Sequence, residues 1–289
     1  MIAAISVGFA AAQDRPTTSG VLEASLDSDW RGLDPDNTLY MQLSDGLVVF
    51  ELAPQFAPAH IANIRMLVSQ QYFDGLAIVR SQDNYVAQWG DPKSGSQDAK
   101  SLGDAAEMLD PEFYRDAGGL AFTALDSRDA YANEVGFSSG FATGRDGEEG
   151  RIWLTHCYGA LGVGRANSPR SGNGAELYVV TGHAPRHLDR NVTLVGRVVH
   201  GIERLSTLPR GTGPLGFYEE ESEQVLIESI RFGTGLPEDE RLAIELLRTD
   251  TETFRLLIEA RRYRAEGWFV DPAKRIGLCN VPLPTRPTD

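Results

Sequence analysis

A chain of 289 residues is long enough for one large domain, or one domain with a small appendage, and can bury a sizeable core. With 42% hydrophobic and 24% charged residues it has the composition of a globular protein, which excludes a largely disordered or fibrous chain. A net charge of −14 with no basic run makes phosphate backbones and anionic lipid surfaces poor partners, so no nucleic acid is expected as a ligand.

Met1 to Ala12 form a short apolar stretch ending in Ala10-Ala11-Ala12. It reads as the apolar region and cleavage site of an export signal, although no Lys or Arg precedes it; the alternative is a small apolar helix or a disordered tail. On the first reading the mature protein is periplasmic or otherwise exported, and no later segment is apolar enough for an integral membrane span. Residues 13–36, rich in Asp, Ser, Thr and Pro, read as an irregular leader.

From there the pattern is mainly β. Leu39 to Leu43 and Leu47 to Leu52 are strand-like runs joined by Ser44-Asp45-Gly46, a hairpin signal. Ile61, Ile64, Leu67 and Val68 fall at helical spacing between His60 and Gln70, predicting one amphipathic helix on the sheet. Short strands are expected at 76–80, 85–89, 160–163, 176–181, 193–199 and 224–232. Between Pro92 and Thr155 the chain is glycine-rich and charged and reads as a long excursion with little regular structure. Many short strands with one early helix predict a closed antiparallel β-barrel with a capping helix over residues 37–234.

After Gly235 the signals become helical. Pro237-Glu-Asp-Glu240 followed by Leu242, Leu246 and Leu247 predicts one helix, and Thr249-Asp-Thr-Glu252 a capping box for a second. Residues 235–289 are thus expected as a C-terminal helical appendage. The two cysteines, Cys157 and Cys279, are either one bridge tying this tail to the main domain or two buried thiols.

Three motifs resemble sites and are rejected on context. Gly136-Phe-Ser138-Ser-Gly140 has the spacing of a serine-hydrolase elbow, but Phe141 to Gly147 does not continue as a helix. Gly211-Thr-Gly213-Pro-Leu-Gly216 has the glycine spacing of a dinucleotide loop, but Pro214 removes an amide donor and no helix follows. His183, His187 and Asp189 flank Pro185, which prevents a helix from presenting both histidines on one face, so no metal site is expected.

Ordered blocks between Phe56 and Val198 carry the functional reading. Phe56-Ala-Pro58-Ala-His-Ile-Ala-Asn63, Tyr72-Phe-Asp74-Gly75-Leu-Ala-Ile-Val-Arg80 and Tyr85-Val-Ala-Gln88-Trp-Gly90-Asp91-Pro92 form the first. Gly159 to Ser171, with Arg165-Ala166 inside it, then Ala175-Glu176-Leu177-Tyr178-Val179, then His187-Leu188-Asp189 to Val198 complete the set. These resemble the cyclophilin family of peptidyl-prolyl isomerases, in particular its divergent bacterial envelope branch. The resemblance implies a cyclophilin-like barrel that binds proline-containing polypeptides and assists the folding of secreted proteins, with no cofactor and no metal.

It also implies roles. Arg80 is the catalytic donor, and Gln88 orients its guanidinium or holds the peptide backbone. Tyr85, Val86, Tyr178 and Leu188 line the proline pocket, and Arg165 and Glu176 contact substrate. Rotation about a prolyl amide crosses a barrier of about 18–20 kcal/mol, at whose top the nitrogen gains lone-pair character. A fixed donor aimed at that nitrogen binds the twisted amide better than either planar isomer, which needs no proton transfer and no covalent intermediate.

The sequence departs from the family at two of these positions and at two neighbouring ones. Glu176 replaces a glutamine, and a carboxylate cannot donate as an amide does; it is placed to pair with Arg80 instead. Tyr178 replaces a phenylalanine and brings a hydroxyl that must find a partner. Val192 stands where histidine or tyrosine is usual, and His187 where some members have tryptophan. The alternative function is a noncatalytic module that grips a proline segment in the same fold.

Overall fold

The computed structural model describes residues 15–288, so the export-signal reading of residues 1–12 lies outside the described residues. In the leader, α1 (Thr18–Glu23) is capped by Thr17, whose hydroxyl accepts from Gly20 N–H, and β1 (Trp30–Gly32) follows. The leader therefore carries a helix and a strand, correcting the irregular reading.

The expected hairpin is β2 (Thr38–Leu43) and β3 (Gly46–Leu52), turning at Ser44-Asp45 with Leu43 opposite Gly46. Gly46 has φ +136°, a backbone conformation that L side chains rarely adopt, so glycine suits this turn. Next comes α2 (Pro58–Ser69), with Pro58 in its first turn. Ile61, Ile64, Leu67 and Val68 of this helix are buried in the barrel core. Its N-terminus has no cap from its own segment. The Glu112 carboxylate, 52 residues on, accepts from the Ala59 and His60 N–H groups at 3.0 and 2.9 Å and from His60 Nδ1 at 2.6 Å.

After β4 (Ala77–Ser81) and β5 (Val86–Gly90) the excursion begins. Its first stretch is stitched to α2 by Asn63, which accepts from Ala106 N–H and donates to the Ala106 and Asn173 carbonyls. Its second half is a sheet, correcting the expectation of little regular structure. The strands are β6 (Arg115–Asp116), β7 (Thr123–Ala124), β8 (Glu134–Ser138), β9 (Phe141–Asp146) and β10 (Arg151–Leu154), in the order β6-β10-β9-β8-β7. Ser138 ends β8 and a strand follows it, as the rejection of a hydrolase elbow requires.

The chain returns through β11 (Ala160–Val163), β12 (Leu177–Val180), β13 (Leu194–His200), the short α3 (Glu203–Ser206) and β14 (Val225–Phe232). The barrel closes in the order β11-β12-β5-β4-β14-β2-β3-β13, with β13 pairing back to β11. Its interior is filled by Leu39, Met41, Val48, Phe50, Ile78, Trp89, Leu161, Leu177 and Val195, among others.

The tail corrects a third expectation. Residues 244–247 are not helical but form β15 (Ile244–Leu247), which lies between β1 and the final strand β16 (Thr285–Pro287). The second expected helix is present as α4 (Glu252–Tyr263), capped by Thr251 rather than Thr249; the Thr249 hydroxyl instead accepts from Gly140 N–H at 3.1 Å. Leader, excursion sheet and tail share one core around Val21, Trp30, Val135, Phe137, Leu247, Phe254 and Leu257. Cys157 and Cys279 are joined by a disulfide across 122 residues. A third cluster, including Phe141, Ile152, Leu154, Val86, Tyr178 and Val180, packs the excursion sheet against the outer face of the barrel.

Candidate active site

β4, β5 and β12 lie side by side, with Arg80 opposite Gln88 and Tyr178 opposite Gln88 in register. They form one wall of a cleft of 760 Å³ lined by Arg80, Tyr85, Val86, Gln88, Arg165, Glu176, Tyr178 and Leu188, together with Val192 and Phe217. All eight residues singled out from the sequence therefore meet at one place. His187 does not join them: it is exposed on the turn before Leu188.

Arg80 is held on three sides. Its Nε donates to the Leu215 carbonyl at 2.7 Å, one Nη donates to Gln88 Oε1 at 3.0 Å, and the other Nη donates to Gln82 Oε1. The guanidinium carbon lies 5.6 Å from the Tyr85 ring centre and 5.2 Å from that of Phe217. A guanidinium has five N–H donors, so two remain for a ligand. Burial lowers its pKa and Tyr85 opposes that; the group still carries its charge at any working pH.

The expected pairing of Glu176 with Arg80 is corrected. Gln88 stands between them, accepting from Arg80 and donating its Nε2 to Glu176 Oε2 at 3.1 Å. Because the amide oxygen faces the guanidinium, its nitrogen must face the other way, and only an acceptor suits that place. Glu176 therefore orients Gln88 rather than competing for the arginine. On the same side of the cleft Tyr72 has its pKa pushed up to about 12 by burial and by the nearby charges of Asp91 and Glu176, so this end is electronegative.

The floor is apolar, formed by Val86, Leu188 and the Tyr178 ring. Tyr178 lies flat over Gly162, where a Cβ would fall within the ring and its hydroxyl, so the glycine is a steric requirement. The hydroxyl finds its partner in His156, whose Nε2 is 2.8 Å away. No motif singled out His156; the surplus hydroxyl of Tyr178 was its only sequence signal. Arg165 is exposed at the far rim, fixed by the Asn191 and Ala166 carbonyls at 2.9 and 2.8 Å.

The Gly211–Gly216 segment, rejected from sequence as a dinucleotide loop, is a turn that runs on into Phe217, with a short 3-10 stretch at Pro214–Gly216. Its role at the cleft was not legible: it supplies the Leu215 carbonyl and the Phe217 ring to Arg80. Among the described residues no cluster of three His, Cys, Asp or Glu side chains suited to a metal is present, and no helix is long and apolar enough to cross a membrane.

The profile of the family described as cyclophilin type peptidyl-prolyl cis-trans isomerase/CLD matches residues 38–231. Proteins of Brucella suis and Brucella abortus, each described as "Probable peptidyl-prolyl cis-trans isomerase", are 28% identical over 179 residues, covering 62% of this chain and 74% of theirs. The crystal structure of cyclophilin AquaCyp293 from Hirschia baltica superposes with a TM-score of 0.69 at 26% identity, covering 94% of this chain and 97% of that one. That likeness reaches past the barrel into the added elements. With the closed barrel and the arginine-lined cleft, the match over 38–231 places the chain in the cyclophilin-type peptidyl-prolyl cis-trans isomerase family.

Proposed function

We propose that the protein is a peptidyl-prolyl isomerase that assists the folding of exported polypeptides, with Arg80 as the catalytic donor. The observation that carries this is the Arg80 guanidinium, fixed by Leu215, Gln88 and Gln82, with two donors left beside a greasy floor. A prolyl ring settles on Val86, Tyr178 and Leu188, and its nitrogen meets Arg80 as conjugation is lost. The donor is ordered before substrate arrives, so little reorganisation opposes catalysis. Gln88, oriented by Glu176, is a positioning residue for Arg80.

A protease-coupled proline-isomerisation assay tests the assignment. Arg80→Ala is expected to lower kcat/KM by about 10²-fold, as for loss of one preorganised donor. Equal rates for the two proteins would remove Arg80 from catalysis.

A second reading has one observation behind it. Glu176 stands where the family has a side chain that donates to the peptide backbone, which favours a module that grips proline segments without turning them over. Calorimetric binding of a proline tetrapeptide by a wild-type protein with no measurable rate would establish it.

Export to the periplasm is supported by the apolar first residues and by the disulfide, since such bonds persist in oxidising compartments. Alkaline phosphatase fused after residue 36 is expected to be active in the host periplasm; an inactive, cytoplasmic fusion would contradict export.

A further inference from the structure

Beneath the cleft floor runs a chain of polar side chains that isomerisation by Arg80 does not use. The Tyr178 hydroxyl meets His156 Nε2 at 2.8 Å, and His156 Nδ1 meets Asp189 Oδ1 at 2.9 Å. The other Asp189 oxygen accepts from Arg186 Nε, and the two Nη groups of Arg186 reach Asp129 at 3.0 and 3.1 Å. The His156 side chain is wholly buried, and those of Asp189, Arg186 and Asp129 are 2%, 6% and 11% exposed. The links come from separate places: Asp129 between β7 and β8, Arg186 and Asp189 in the turn after β12, and His156 just after β10.

Burying charged and polar groups is costly unless each is satisfied, and a phenylalanine at 178 would fill the same floor with no partners at all. Here each is satisfied and the order of donors is set. A carboxylate only accepts, so Nδ1 of His156 carries a proton toward Asp189, which also takes the His156 main-chain N–H at 2.9 Å. In the neutral imidazole Nε2 is then an acceptor for the phenol proton. Burial raises the Tyr178 pKa strongly, so the phenol keeps that proton. The hydroxyl end of the ring is held twice, by the close approach of Gly162 to Cζ and the hydroxyl and by the hydrogen bond with His156.

We propose that His156 is a positioning residue of the proline pocket, anchored by Asp189 and acting through the Tyr178 hydroxyl to fix the pocket floor. This rests on the reading of the cleft as a proline-binding site. Without His156 the hydroxyl has no buried partner and turns toward the water of the cleft, taking the ring into the space a prolyl side chain needs. The loss falls on binding rather than on the twisted amide, because Arg80 and its partners are untouched.

The test uses the full chain and a proline tetrapeptide, with affinity read by calorimetry, KM and kcat by the coupled assay, and Tm by thermal melting. His156→Leu is expected to weaken affinity and raise KM by about tenfold, the scale of one unpaired buried hydroxyl, with kcat nearly unchanged. Adding Tyr178→Phe is expected to restore affinity to within about threefold of wild type, since the hydroxyl is removed with its partner while Asp189 Oδ1 keeps the main-chain N–H of residue 156. A lowered Tm with unchanged affinity would make the role of His156 structural only and overturn the proposal, as would a double variant as weak as the single. If His156→Leu does not fold, Tyr178→Phe is compared with the double variant: equal affinities support the proposal, and a further loss overturns it. Wild-type protein that binds but does not turn over sinks the isomerase reading alone, because affinity is measured without turnover.

Discussion

The Nε–H of Arg80 donates to the main-chain carbonyl of Leu215 at 2.7 Å, and Leu215 holds φ +58°, a region non-glycine residues enter at a cost. The 211–217 turn thus keeps a strained residue where its carbonyl fixes the arginine, and two residues on it lays Phe217 against the guanidinium. Phe217 is 38% exposed, so it contributes little to the core. Phe217→Ala is expected to lower kcat/KM by about three- to tenfold, the scale of one lost cation–π contact plus looser positioning, with Tm nearly unchanged. A fall in Tm with an unaltered rate would show the ring to be packing only.

Glu176 both orients Gln88 and makes its end of the cleft electronegative, along with Asp91. Lys100, which lines this end, has its ammonium engaged by the Asp74 carbonyl at 2.9 Å and 5.7 Å from the Tyr72 ring centre, leaving the two carboxylates in excess. Peptides with Lys or Arg before the proline are therefore expected to be turned over better than neutral ones. Glu176→Gln should cut that preference by about three- to tenfold, and added salt should shrink it in the wild type, as for any partly screened ion pair. A ranking of peptides unmoved by either change would contradict the electrostatic account.

How much of this was legible follows from which signals are local. The β2–β3 hairpin and α2 show as period and turn chemistry, and the cleft residues sit in ordered blocks, so both could be read directly. Leu242, Leu246 and Leu247 misled because a short apolar run fits a helix as well as a strand. Only the pairing of Ile244–Leu247 with Trp30–Gly32 on one edge and Thr285–Pro287 on the other decides it, and those partners are distant in sequence. The excursion hid its sheet in strands of two to six residues broken by glycine and aspartate. His156 belongs to no spaced motif, since it meets Tyr178 and Asp189 only in space.

The disulfide links Cys157, just after β10, to Cys279, near the end of the tail, and closes a loop of 122 residues. Cross-linking so long a segment restricts the unfolded chain by about 4–5 kcal/mol in the chain-entropy account, and measured effects are commonly about 2–4 kcal/mol. Cys279→Ser, or reduction of the wild type, is therefore expected to lower unfolding free energy by roughly 2–4 kcal/mol in urea titrations. Identical midpoints with and without reductant would mean that the bridge adds nothing to stability.

The pH dependence of stability has a local source at the start of α2. Burial alone would raise the Glu112 pKa, but hydrogen bonds from the His60 ring and from the His60 and Ala59 N–H groups, with the His60 charge, hold it below its ordinary value of 4.5. A carboxyl with a depressed folded pKa gives stability that is fully present above the unfolded pKa. As pH falls below 4.5 the unfolded chain takes up the proton first, so this contribution fades and is gone once pH passes the lower folded value. In Glu112→Gln the helix loses a charged cap, which is expected to cost about 1–2 kcal/mol at neutral pH. The amide does not titrate, so the gap between the two proteins should close on acidification, every other carboxylate being common to both. Urea unfolding of wild type and Glu112→Gln between pH 3 and pH 7 reads this directly. Parallel stability curves across that range would show that Glu112 makes no titrating contribution to holding α2.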